Sequence, residues 1–282
     1  MNSRPSCLMV MFLSAGIVGL SSPSFAVPIV EQASGANPAA IQAPVDAFRA
    51  DLGNPLNPNV AGSFPGGRRE INWDGVPDAL AAPNNLPSNF FNANSPRGAV
   101  FSTPGTGVQV SANAGVAPVR FDNLNPTYSS IFQTFSTQRL FTAVGSNIVD
   151  VNFFVPGSAN PATVSGFGSV FTDVDLANTT SIQYFNTNNV SLGTFFAPTA
   201  NNGLSFLGVS GLGDIARVRI TTGNSALGPT DANGNSVDVV AMDDFLYGEP
   251  KAVVPEPSSL LLLGTGLSGL AWLRKRLRSR PE

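Results

Sequence analysis

Between Arg69 and about position 250 the chain alternates apolar and polar residues in short runs divided by Asn, Gly and Pro. The stretch NIVDVNFFVPG (147–157) puts Val149, Val151, Phe153 and Val155 on one face and stops at Pro156-Gly157. A half-buried strand has this period of two. GVQVSA alternates Val108 and Val110, and GSVFTDVDL sets Val170, Val174 and Leu176 against Phe171, Asp173 and Asp175. SIQYFN, SLGTFF, LSFLGV, IARVRITTG and SVDVVAMDDFLYG follow. Turn residues at Asn188-Asn189, Asn202-Gly203, 211–214 and Asn233-Gly234 separate them. Many short strands with Asn/Gly turns predict an all-β fold, an antiparallel β-sandwich of jelly-roll type. No fixed-period repeat appears, which argues against a solenoid or propeller.

The one useful helical period lies upstream. In APVDAFRADLGNP, Val45, Phe48 and Leu52 share a face and Gly53 is placed to end the helix. Residues 27–68 are otherwise rich in Pro, Ala, Asn and Gly and read as an arm carrying a short helix, with GNPLNPNVAGSFPGG as a linker. The sandwich is assigned to 69–250.

The two ends differ from this middle. Residues 1–26 begin with Arg4, continue through an apolar run from Cys7 to Leu20 and reach Ser24-Phe25-Ala26. That is the layout of a secretory signal peptide cleaved after Ala26. At the other end, Val254-Pro255-Glu256-Pro257 precedes an uncharged stretch, 258–273, and then Arg274, Lys275, Arg276, Arg278 and Arg280. As a helix the stretch is about 24 Å long, a little under a bilayer core. Trp272 suits the interface, and the cations hold that end in the cytoplasm as a stop-transfer cluster. Residues 254–282 therefore read as a tail with a transmembrane helix at 258–273.

Pro-Glu-Pro, a short apolar helix and a terminal basic cluster closely resemble the PEP-CTERM sorting signal of Gram-negative bacteria, usually ones that make exopolysaccharide. The resemblance implies an exosortase as a transient partner in the inner membrane, cutting near Pro255, Glu256 and Pro257 and passing the protein to the cell surface or extracellular matrix. It covers only the tail and assigns no activity to the rest.

Composition narrows the chemistry. The chain has no histidine, and its only cysteine, Cys7, lies in the signal peptide. Ser-His-Asp and Cys-His catalysis and imidazole-ligated zinc are excluded, and the mature protein has no disulfide. Any metal must be bound by oxygen, which suits calcium. Between 27 and 250 there are eight Arg and no Lys against sixteen Asp and Glu, a net charge of −8. An acidic domain argues against nucleic acid as a partner.

Three acidic clusters are candidates: Asp74 with Asp78, Asp173 with Asp175, and Asp243 with Asp244. Adjacent residues of a strand face opposite ways, so one of Asp243 and Asp244 must point inward or sit at a bulge. A buried carboxylate needs a cation, an Arg or several N–H donors. Arg68, Arg69, Arg120, Arg217 and Arg219 are available, the last two on one strand face. INWDG and AMDDFLY resemble jelly-roll domains of the MAM and carbohydrate-binding-module kind. In many of these a structural calcium joins the first strand to the last, which implies Asp74, Asp243 and Asp244 as ligands. Asp173 and Asp175, two apart on a strand, are too close together for facing glycosidase carboxylates. TDANGNSVD has Asp231, Asn233 and Asn235 at the spacing of a calcium loop, but Gly234 comes early and no Glu closes it, so a hairpin turn is expected. Trp73 and Tyr128 are the aromatic candidates for stacking a sugar, although a core position at a strand start is the favoured reading of Trp73.

The sequence thus predicts an exported, tail-sorted surface or biofilm-matrix protein, structural or binding in role, associated with exopolysaccharide and not an enzyme. A lectin-like glycan-binding module is the alternative, and a glycan hydrolase or lyase the third reading.

Overall fold

Alternation of apolar residues builds most of the protein. The structure, a computed structural model, describes residues 27–253 except 114 and 232–235, together with 266–270, 272, 274 and 275. The signal peptide, the Asn233-Gly234 turn, the Pro255-Glu256-Pro257 motif and Arg276 lie outside the described residues, as does most of the 258–273 span. Among the described residues no helix is long and apolar enough to cross a membrane.

The strands form two antiparallel sheets. The larger runs β1 (Ile29–Gly35), β10 (Ala200–Ile215), β7 (Ala162–Val174), β12 (Ala241–Gly248), β5 (Phe141–Val144) and β4 (Gly107–Val110). β2 (Arg68–Ile71) also pairs with β12, and β13 (Lys251–Ala252) pairs with the start of β7. The second runs β3 (Ala99–Ser102), β6 (Ile148–Phe153), β11 (Arg217–Thr221), β8 (Ser181–Phe185) and β9 (Ser191–Phe196). The late strand β12 therefore lies beside the early strand β2, with Phe245 opposite Ile71.

Residues of both sheets meet in one apolar cluster. Val149, Val151, Ile182 and Val218 come from the smaller sheet, and Phe167, Phe171, Met242 and Phe245 from the larger. Trp73 stacks on Phe141 at 4.1 Å between ring centroids, with Phe101 and Phe245 against it. Such aromatic packing is worth about 0.5–1.5 kcal/mol per pair beyond area burial.

A second cluster covers the opposite side of the larger sheet. The helix α1 (Pro38–Leu52) starts at Asn37, whose side chain accepts the Ala40 N–H, and presents Ile41, Val45, Phe48 and Leu52 to Val170, Leu204, Phe206 and Leu246. Gly168 and Gly208 are cross-strand partners directly beneath Phe48, where a Cβ would come within 2.8 and 2.7 Å of its ring. The pair of glycines is the seat for that ring.

The segment read as an arm is thus part of the fold, since β1 also adds an edge strand to β10. β1 carries little apolar alternation because neither face is deeply buried. Two four-residue helices, α2 (Phe90–Ala93) and α3 (Tyr128–Ile131), are too short to show a period. Asn202-Gly203 and 211–214 lie within β10, as irregularities where its register against β7 shifts. The faces assigned to β7 also change. Phe171 and Val174 pack in the inter-sheet cluster while Val170 faces α1. Asp173, at φ 69°, breaks the alternation between them.

Candidate functional site

All of β12 is buried, including Asp243 and Asp244. Met242 pairs with Phe171 and Phe245 with Ser169, so three steps on β12 match two on β7. The extra residue makes a bulge, which lets neighbouring carboxylates share partners. Asp243 accepts the Phe135 N–H at 2.6 Å, and the Ser136 hydroxyl lies 3.2 Å from Asp243 Oδ1 and 2.6 Å from Asp244 Oδ1. Arg49, on α1, comes within 4.0 Å of Asp244 Oδ2 while pairing with Glu70 at 2.9 Å.

Burial, reinforced by the charge of Asp244, pushes the Asp243 carboxyl well above the usual range. Burial also raises Asp244 to about 6, with the Ser136 hydroxyl and Arg49 opposing and Glu70 adding to the rise. Two carboxylates with one hydroxyl between them favour retention of a proton.

The arginines named from sequence go elsewhere. Arg68 pairs with Glu70, Arg69 with Glu249, and Arg217 and Arg219 both reach Asp150. Arg120 donates to the Phe132 carbonyl. Arg49, Ser136 and Phe135 were not legible as partners, because they come from a helix and a loop remote in sequence. Asp74 does not join Asp243 and Asp244; its neighbours are Asn72 and the Arg139 backbone. Gln42, Arg49, Glu70, Arg97, Phe135 and Asp244 line a pocket of about 640 Å³ on this side.

The structure instead gathers Asp173, Asp175 and Asp231, each offering an oxygen within 4.8 Å of the others. The β7–β10 bulge sets Asp173, whose Oδ1 accepts the Asn202 N–H at 2.7 Å. Asp238 accepts the backbone N–H groups of Asp175 and Leu176 and the Thr179 hydroxyl, and so shapes the turn that carries Asp175. Burial raises Asp173 to about 7, with Asp175, Asp231 and Asp238 adding to it. Burial also raises Asp175 to about 6, with Asp231 next.

The core reading of Trp73 holds, and the sugar-platform reading of Trp73 and Tyr128 does not. Trp73 is 1% exposed and Tyr128 is fully buried, its hydroxyl donating to the Pro229 carbonyl. Neither offers a ring face on which a sugar could stack.

The end of the domain is held tightly. Arg69 and Glu249, both fully buried, form a two-pronged pair at 2.6 and 2.8 Å. Glu249 also accepts from Asn57 and the Phe64 N–H. Two residues on, Lys251–Ala252 pairs with Thr163 and Ala162, and the Val253 N–H reaches the Pro161 carbonyl at 3.2 Å. Described tail residues beyond this, at 266–270, 272 and 274–275, are helical and exposed, among them Leu267, Leu270, Trp272, Arg274 and Lys275.

A family profile, the PEP-CTERM protein-sorting motif, matches residues 253–276. The tail is a PEP-CTERM sorting signal. It begins at the residue where the last described strand contact ends, and it implies export with exosortase processing. A search of curated proteins finds no match to the chain.

Proposed function

We propose that residues 27–253 are a passenger of β-sandwich, jelly-roll type, delivered by a cleaved signal peptide and the PEP-CTERM tail to the surface of a Gram-negative cell. There it serves a structural or binding role, without catalysis, in the exopolysaccharide matrix. The observation carrying this reading is the coincidence of two boundaries, the last pairing of β13 with β7 and the start of the sorting motif. Processing near Pro255-Glu256-Pro257 would then leave every described strand in place. The apolar stretch would span the membrane only before that cut.

The test is to express the chain in a Gram-negative host that makes exosortase and exopolysaccharide, beside a variant with Pro255, Glu256 and Pro257 replaced by Ala. The parent is expected in the surface and matrix fraction and the variant in the inner membrane. Equal distribution of the two would refute the sorting role.

Glycan binding is the second reading, favoured by the pocket beside Asp244, where carboxylate, guanidinium and amide groups flank Phe135. Such groups match sugar hydroxyls and a sugar's apolar face. Binding on a glycan array that is lost in Arg49→Ala would support it over a purely structural role.

A further inference from the structure

The aspartates at the end of β7 hold more buried oxygen than nearby donors can serve. Asp173 is 1% exposed; Oδ1 takes the Asn202 N–H, and Oδ2 has no hydrogen-bond partner. Asp231 is 8% exposed with Oδ1 unpartnered, and neither oxygen of Asp175 has a hydrogen-bond partner. No ion pair reaches any of the three among the described residues; Arg49, Arg68, Arg69, Arg139, Arg217 and Arg219 serve other carboxylates. Buried carboxylates without compensation carry a large penalty. A proton held on a carboxyl or a bound cation can offset it.

We propose that Asp173, Asp175 and Asp231 form a divalent-cation site whose ligand is calcium. Oxygens that bind one calcium at 2.3–2.6 Å lie no more than about 5 Å apart, and the three aspartates each place one within 4.8 Å of the others. The donor set is all oxygen, the preference of a hard cation. Three direct carboxylates on a bulge and a loop suit the adaptable shell of calcium better than the strict octahedron of magnesium. Asp238 is a positioning residue, because its carboxylate is occupied by the backbone of the turn bearing Asp175.

The ion would fasten the chain between β11 and β12 to the end of β7. Of that chain, Gly228 and Pro229 are tied to Tyr128, Gly228 and Thr230 to Asn125, and Asp238 already reaches the turn after β7, so the ion would add a second fastening there. This clamp is independent of how the tail is sorted. It also differs from the Asp74, Asp243 and Asp244 set, whose β12 carboxylates are served by Phe135 and Ser136.

The test uses the full-length protein in mild detergent, stripped with EDTA and titrated with calcium chloride by calorimetry and thermal melting. One calcium per chain is expected, with the Tm rising by about 5–11 °C at a hundredfold excess over Kd. Magnesium chloride at the same concentration should give a smaller rise. Asp175→Asn and Asp231→Asn should lose the calcium response while melting, without calcium, at or above the parent, since each removes mutual repulsion. Asp214→Asn, at an exposed position, should keep it. No calcium heat in the parent, a response surviving both variants, or an equal rise from magnesium or from sodium chloride of matched ionic strength would overturn the proposal.

Discussion

Glu249→Leu should destabilise the domain more than any surface change, because it strands a charge. Arg69 has no exposed side-chain area, and its pairing with Glu249 is the one salt bridge it makes among the described residues. Without Glu249 it keeps the carbonyls of Pro58, Pro96 and Gly62 and the face of the Phe64 ring, none of which carries a formal charge. Removing one partner of a buried pair costs about 3–5 kcal/mol. At roughly 2–4 °C per kcal/mol for a domain of this size, the Tm should fall by about 6–20 °C. Arg69→Met should cost a similar amount, since Glu249 would retain only Asn57 and the Phe64 N–H. The double variant removes both charges and should recover much of the loss, because apolar replacement of a whole buried pair is often close to neutral. Thermal melting of the four proteins gives the coupling directly. A second assay reads the same junction locally: Lys251 is the only lysine between residues 27 and 253, so cleavage there by a lysine-specific protease reports release of β13. Single variants should be cut faster than the parent. If Glu249→Leu melts with the parent, or the two single losses simply add in the double variant, the pair is not the buried, coupled unit described.

Other consequences are equally open to measurement. Phe48→Ala should cost about 3–5 kcal/mol by emptying the seat over Gly168 and Gly208. Gly208→Ala should cost about 1–3 kcal/mol in the parent and much less in the Phe48→Ala background, which urea denaturation can show. For Asp243 and Asp244 the folded state holds protons that the unfolded chain releases near pH 4. The contribution of Asp244 is therefore full below pH 4 and is lost as pH rises through about 6, and Asp243, whose carboxyl is raised by burial as well, acts in the same direction. The melting difference between the parent and Asp244→Asn, followed from pH 4 to 8, should shift steadily against the parent; a flat difference would contradict the buried pair.

Strands with strict alternation were legible because one face of each is buried in a period of two, as in Val149, Val151 and Phe153. The α1 face was legible for the same reason at its own period. β1 was not, since an edge strand with two partly exposed faces leaves no pattern, and neither were the bulges, which interrupt the alternation by which strands are recognised. The same interruptions decide the chemistry. Asp173 reaches Asp231 through a left-handed residue, and Asp243 and Asp244 share Ser136 through a register slip. Alternation required one of Asp243 and Asp244 to point inward or sit at a bulge; the bulge buries both, and their partners come from a helix and a loop that no local pattern predicts. Trp73 and Tyr128 have compositions that fit either a sugar platform or a core, and only the packing distinguishes the two. The sorting motif of the tail was legible because its three parts are contiguous in sequence.

Mass spectrometry of the C-terminus of protein recovered from the cell surface tests the central claim most directly. A passenger released at the boundary between β13 and the PEP-CTERM signal should end close to Pro255-Glu256-Pro257, at or near Ser258, with the chain from Val27 to Val253 intact. Surface protein that still ends at Glu282 would contradict the account.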